Sequence, residues 1–234
     1  ATNGGFHVPE TIGWVAMERG TGDVGGLTYE VGTTGKIVGE AAAREDFASP
    51  FSAAPAVVTA LATYDGIDPA MLRLPSVDAT GFEVRAQEDT SLDAEVAHMS
   101  EAVDWLAVSG PGSVSGIAAA QIGEVLSVEL NHLPQTLDFS STYADPLVFA
   151  QGPSFRGADA AAVRVEEVTP GSVTLFIDEP NMRDGGHIAE KVTVFVIEAG
   201  SHVLADGTLI EAGSLTSSKL SPQGFEQVTF ATDF

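Results

Sequence analysis

One segment is written three times along this chain. His7-Val-Pro-Glu10-Thr-Ile-Gly-Trp14-Val-Ala-Met17 returns as His98-Met-Ser-Glu101-Ala-Val-Asp-Trp105-Leu-Ala-Val108, and again as His187-Ile-Ala-Glu190-Lys-Val-Thr-Val194-Phe-Val-Ile197. A spaced aromatic pair keeps step with it: Phe47 and Phe51, Phe139 and Tyr143, Phe230 and Phe234. A third element occurs twice, from Arg73 through Gly81-Phe82 to Val84, and from Arg164 through Gly171 to Leu175. Three elements that share one offset, near ninety residues, restrict the fold to repeated modules that each solve the same packing problem. The expected organisation is a first unit over 21–110 and a second, diverged unit over 111–200. Residues 1–20 then read as the closing strand of a partial unit, and residues 201–234 as the opening segment of a partial third. Either the chain is a piece of a longer array, or its two half-units complete each other within or between molecules.

The local pattern is that of strands. Val57 to Leu61 is a short apolar, β-branched run, and Phe82 to Gln87 alternates apolar with polar, as a half-buried strand does. Val173–Ile177 and Val192–Ile197 are β-branched and aromatic. Turn signals separate them at Asp65-Gly66, Thr80-Gly81, Pro170-Gly171, Asp184-Gly185 and Asp206-Gly207. Short strands at such intervals predict an all-β chain of antiparallel sandwiches in tandem. Trp14 and Trp105 fall at equivalent points of apolar strands and are expected in cores.

The order Phe47, Phe51, Val57, Val58, Gly81, Phe82, Val84, Trp105, Leu106, Ala107 resembles the H-type lectin domain. The second unit keeps that order with Val173 in place of Phe82 and Val194 in place of Trp105. The resemblance implies a six-stranded antiparallel β-sandwich and a sugar-binding role. After the Gly-Phe strand, where the family carries part of its sugar site, this sequence has Gln87-Glu88-Asp89.

Charge narrows the partners. Thirty-three acidic residues stand against 10 Lys+Arg, a formal net charge of −23, and only Lys36, Lys191 and Lys219 are lysines. Such a surface offers nothing to replace the counterions of a nucleic acid or to dock on an anionic membrane. It suits salty water, where screening weakens self-repulsion, and so a marine or halophilic source. No cysteine is present, which removes thiolate chemistry and disulfides. No run of 18 apolar residues predicts a membrane helix. No signal segment opens the sequence, so a secreted chain would have lost one or carried it outside these residues.

Among residues suited to chemistry, the three His-x-x-Glu pairs come first. Each leads into a strand, so the expected role is structural, with the His capping a turn or bonding a backbone carbonyl and the Glu facing solvent. The oxygen-rich loops suggest calcium, the one cofactor considered, with Glu88, Asp89, Asp93, Asp178, Asn181 and Asp184 as candidate ligands. Tyr64, Asp65, Asp68 and Arg73 are the candidate carbohydrate contacts: a ring on a turn-rich loop with polar neighbours. The sequence carries no nucleophile elbow, P-loop or dinucleotide-binding fingerprint. The expectation is therefore a non-catalytic, secreted or cell-surface module that binds a polysaccharide or glycan. The alternative is a structural repeat of a surface adhesin or filament, self-associating through its half-units.

Overall fold

The computed structural model describes residues 8–90, 94–180, 184–219 and 224–234, and its regular elements are strands apart from one 3-10 turn at Ile117–Ala119. The first strand is β1 (Glu10–Met17). The next seven are β2 (Gly20–Val24), β3 (Leu27–Thr33), β4 (Ala43–Asp46), β5 (Ala56–Leu61), β6 (Ala70–Asp78), β7 (Gly81–Glu88) and β8 (Val103–Val108). They form an antiparallel sheet in the order β2-β3-β8-β5 and a second in the order β4-β7-β6. The following seven are β9 (Gly112–Ser115), β10 (Gln121–Leu130), β11 (Gln135–Asp138), β12 (Pro146–Phe149), β13 (Ala162–Thr169), β14 (Ser172–Asp178) and β15 (Glu190–Glu198). Their sheets run β9-β10-β15-β12 and β11-β14-β13, the same strand order as before. The last two strands, β16 (Gly200–Val203) and β17 (Leu209–Ser217), join β1 in a sheet ordered β1-β17-β16.

The all-β sandwich expected from the alternation is what forms. In β7 the inward positions Phe82, Val84 and Ala86 are buried, and Phe82 and Val84 make one core with Phe47, Val57, Leu72 and Trp105. Leu130, Val163, Val173, Leu175, Ile177, Val192 and Val194 make another. Each large apolar side chain so buried contributes about 1.5–3 kcal/mol. Side chains alternate across a strand, so β8 and β15 have a second face to satisfy. Val108, Phe195 and Ile197 turn that way and meet Tyr29, Leu204, Ile210 and Ala212 in a third core where three sheets come together. Tyr29 stands at this junction. It donates its hydroxyl to Asp206 at 2.8 Å, and burial pushes its pKa up to about 12.

The two outlying strands find each other within one molecule. β1 pairs antiparallel with β17 from Glu10 opposite Ser217 to Met17 opposite Ile210. This pairing repeats β8 against β3, down to the detail that Trp14 lies opposite Gly213 as Trp105 lies opposite Gly32. A Cβ at Gly32 would meet Trp105 at 2.4 Å and one at Gly213 would meet Trp14 at 2.6 Å, so each indole lies flat on a backbone that admits no side chain. Trp105 is core, as expected. Trp14 is only half-buried, because no sheet equivalent to β4-β7-β6 covers it among the described residues.

Candidate functional site

The recurrent polar residues gather in two matching clusters. His98 Nδ1 lies 2.8 Å from Glu88 Oε1, and its Nε2 lies 3.6 Å from Glu101 Oε1. His187 Nδ1 lies 2.6 Å from Glu179 and its Nε2 3.1 Å from Glu190. All six side chains are buried. Glu101 accepts the Thr63 hydroxyl and the N–H groups of Asp65 (2.6 Å) and Gly66 (2.7 Å). Glu190 accepts the Ser154 hydroxyl and the N–H groups of Arg156 (3.0 Å) and Gly157 (2.8 Å). The imidazoles press on Gly66 and Gly157, where a Cβ would fall 2.5 and 2.6 Å from the rings.

Burial pushes both carboxyls up, but these hydrogen bonds outweigh it. Glu101 and Glu190 end below the ordinary carboxylate value, Glu190 with further help from His187 and Arg73. Both nitrogens of each ring face carboxylates, and both rings are buried away from solvent. The chemistry of these clusters is to staple the loop after β5, or after β12, to the start of β8 or β15. The structural role expected for the motif fits this geometry, but the details differ. The glutamates point inward, and the rings bond carboxylates rather than carbonyls. The stretch before β8 is not a strand, so His98 and Glu101 are not held to the alternating faces of one. His7 lies outside the described residues.

The candidate carbohydrate contacts separate. Arg73 is fully buried and is withdrawn from any ligand in solvent. Its guanidinium donates to Glu190 at 2.6 Å and to the Ser154 carbonyl at 2.8 Å, and it stacks over Phe155. It is an internal lock between the β6–β7 hairpin and the second sandwich. Asp65 is paired with Lys36 at 2.6 Å. Tyr64 donates its hydroxyl to the Ile67 carbonyl and keeps its ring 40% exposed, edge-to-face with the exposed Phe225.

The candidate calcium ligands also part company. Asp178 is exposed and lies 3.6 Å from Arg164, and Asp184 accepts the Gly186 N–H. Asp89 donates its N–H to the Pro69 carbonyl. Asp93 and Asn181 lie outside the described residues. Glu88, already bonded to His98, combines instead with Asp68 and Glu95: their carboxylate oxygens lie within 4.8 Å of one another. In that group Asp68 is a sugar candidate by sequence, Glu88 a metal candidate and Glu95 neither, and its hard-oxygen character suits Ca²⁺.

One recurrent device escapes a sequence reading. Glu30, Glu124 and Glu211, in the inner strands β3, β10 and β17 that pair with β8, β15 and β1, are buried and reach the residue after the first aromatic of the spaced pair. Glu30 takes the Ala48 N–H at 3.0 and 3.1 Å, Glu124 the Ser140 N–H at 3.1 and 3.0 Å, and Glu211 the Ala231 N–H at 3.0 Å. The available signal was Tyr29-Glu30-Val31-Gly32 beside Ile210-Glu211-Ala212-Gly213, a fourth aligned element.

No family model matches the sequence, and no solved structure matches it. The chain is 32% identical over 186 residues, 74% of its length, to the protein described as halomucin from Haloquadratum walsbyi (strain DSM 16790 / HBSQ001). It spans 2% of that relative, so the likeness is to one short stretch of a far longer polypeptide.

Proposed function

We propose that the chain is a non-catalytic building unit of an extracellular surface protein, with its repeated motifs serving architecture. The observation that carries this reading is the pair of buried His–Glu clusters, whose rings bond carboxylates inside the fold and pin a loop to a strand. The likeness to a short stretch of halomucin supports a modular, surface-borne setting, and so does the charge of −23, which keeps a protein hydrated and dispersed in salty water. Protease shaving of intact cells that make the protein tests this. Its peptides are expected in the released fraction while a cytoplasmic marker stays intact. Recovery of the whole chain from inside shaved cells would sink the proposal.

A second reading, the lectin-like module, draws support from two features: the exposed, edge-to-face Tyr64 and Phe225 rings, and the grouped Asp68, Glu88 and Glu95 oxygens. Aromatic faces stack on sugar rings, and a calcium ion held by carboxylates bonds sugar hydroxyls. In affinity electrophoresis through acidic and neutral polysaccharides, retardation should then need Ca²⁺ and vanish in Tyr64→Ala. Unretarded migration in every gel, with and without Ca²⁺, removes this reading and leaves the first standing.

A further inference from the structure

The two His–Glu clusters are alike in their hydrogen bonds and unlike in what answers their charge. Ser154 and Thr63 each donate a hydroxyl to the glutamate of their cluster, and Gly157 and Gly66 each donate an N–H to it. In the second sandwich a cation of the protein's own completes the arrangement. The Arg73 guanidinium lies 2.6 Å from Glu190, 2.8 Å from the Ser154 carbonyl and 3.1 Å from the Asp159 carbonyl, close enough to Glu179 to feel its charge. In the first sandwich Asp68 and Glu88, the counterparts of Asp159 and Glu179, meet no lysine or arginine among the described residues. The nearest, Lys36, is spent on Asp65. Carboxylates converge there instead. Asp68 comes from the loop between β5 and β6, Glu88 ends β7, and Glu95 belongs to the stretch before β8; their oxygens lie within 4.8 Å of one another. Two oxygens bound to one Ca²⁺ at about 2.3–2.6 Å can be about 5 Å apart, so this spacing is that of ligands to a single ion. Glu88 adds a second, independent indication. Its side chain is only 4% exposed, His98 takes Oε1 at 2.8 Å, and Oε2 makes no hydrogen bond among the described residues. A buried carboxylate oxygen is costly unless a donor or a cation answers it.

We propose that Asp68, Glu88 and Glu95 bind one Ca²⁺, which does in the first sandwich what Arg73 does in the second: it answers a buried carboxylate and ties a loop to the strands beside it. The ion would join three segments that no strand pairing holds together, the loop after β5, the end of β7 and the approach to β8. Backbone carbonyls and water supply the remaining oxygens of a shell of six to eight. The second sandwich needs no such ion, because Arg73 is already there; Asp159, Glu179 and Asp184 keep acidic character at the matching positions but form no group of this kind. The site rests on the carboxylates of the lectin-like reading and gives their ion a structural purpose. No sugar is required for it, so Ca²⁺ binding by a protein that no polysaccharide gel retards would keep the site and remove the lectin.

The probe is Ca²⁺ itself, added to the intact, chelator-treated chain in about 2 M NaCl, where loosely held counterions are already sodium. Calorimetric titration should show one saturable site per chain. About 10 mM CaCl₂ should raise the melting temperature by several degrees, and NaCl of equal ionic strength should not. Asp68→Asn and Glu95→Gln alter side chains that solvent reaches, and each should weaken binding at least tenfold. Without Ca²⁺, Asp68→Asn should melt no lower than the parent, since it removes a charge from crowded carboxylates, so a lost calcium response is not a lost fold. Asp184→Asn is the control: Asp184 stands three residues before His187 as Glu95 does before His98, and this variant should bind Ca²⁺ like the parent. Several outcomes would overturn the proposal: no saturable heat and no shift in melting, binding that both Asp68→Asn and Glu95→Gln leave intact, or binding that Asp184→Asn weakens as much as they do. A response that MgCl₂ reproduces in full would also overturn it, by assigning the effect to general screening of an acidic surface.

Discussion

Arg73 shows how much one residue can be asked to do in so acidic a chain. Its guanidinium is the charge that answers Glu190 at the joint between two sandwiches, and both are fully buried. Replacing Arg73 by Met keeps the length and much of the volume but leaves a carboxylate in the interior without its cation. The expected loss is about 3–5 kcal/mol, read from urea denaturation, and Glu190→Gln in the same chain should return part of it. Acid should act on the same residues. Glu101 and Glu190 hold their protons off below the ordinary value of 4.5. Between that value and the lower folded one, the unfolded chain takes up protons that the folded chain refuses. Their contribution is therefore complete above about pH 4.5 and is lost as the pH falls below it. Melting temperatures in 2 M NaCl, where relief of surface repulsion is screened, should fall in that window. The His-x-x-Glu spacing advertised these sites in the sequence. Glu88 and Glu179 did not, because they arrive from the far ends of β7 and β14 and no local pattern marks a pairing made in space.

Among the elements, the strands were legible because alternation and turn residues are local properties: Phe82–Gln87 falls inside β7 and Val192–Ile197 inside β15. What pairs with what was less so. That the two half-units meet within one molecule depends on β1 and β17 closing a loop of roughly two hundred residues, which costs entropy that the sequence pattern does not display. The short C-terminal segment is a test of how such a half-unit is held. Glu211 takes the N–H groups of Ala231 and Thr232, and this sets Phe230 5.6 Å from Trp14. Glu211→Ala should release the segment, uncover Trp14 and shift tryptophan emission to the red, while Trp105 stays in its core. An unshifted spectrum would mean that aromatic packing alone holds residues 230–234.

For the whole molecule, a charge of −23 makes the solvent part of the stability. Repulsion among exposed carboxylates is screened within a Debye length of about 8 Å at 0.15 M salt and about 3 Å at 1 M. The melting temperature should therefore climb by several degrees between 0.1 and 2 M, equally in NaCl and KCl. A flat response would show that the pairs Arg44–Asp78 and Arg156–Glu129 already neutralise what matters. Composition announced this surface plainly, and the alternation announced the all-β fold; the meeting of three sheets in one core is a matter of assembly and lay beyond both. The pairing of β1 with β17 also fixes how the protein takes a load. Glu10 and Ser217 sit opposite each other at one end of that pair. Tension at that end would first pull Ala231 and Thr232 off Glu211 and Phe230 off Trp14, and then open the pair like a zipper, one rung at a time. The sandwiches on either side would feel such a pull only after that seam had opened.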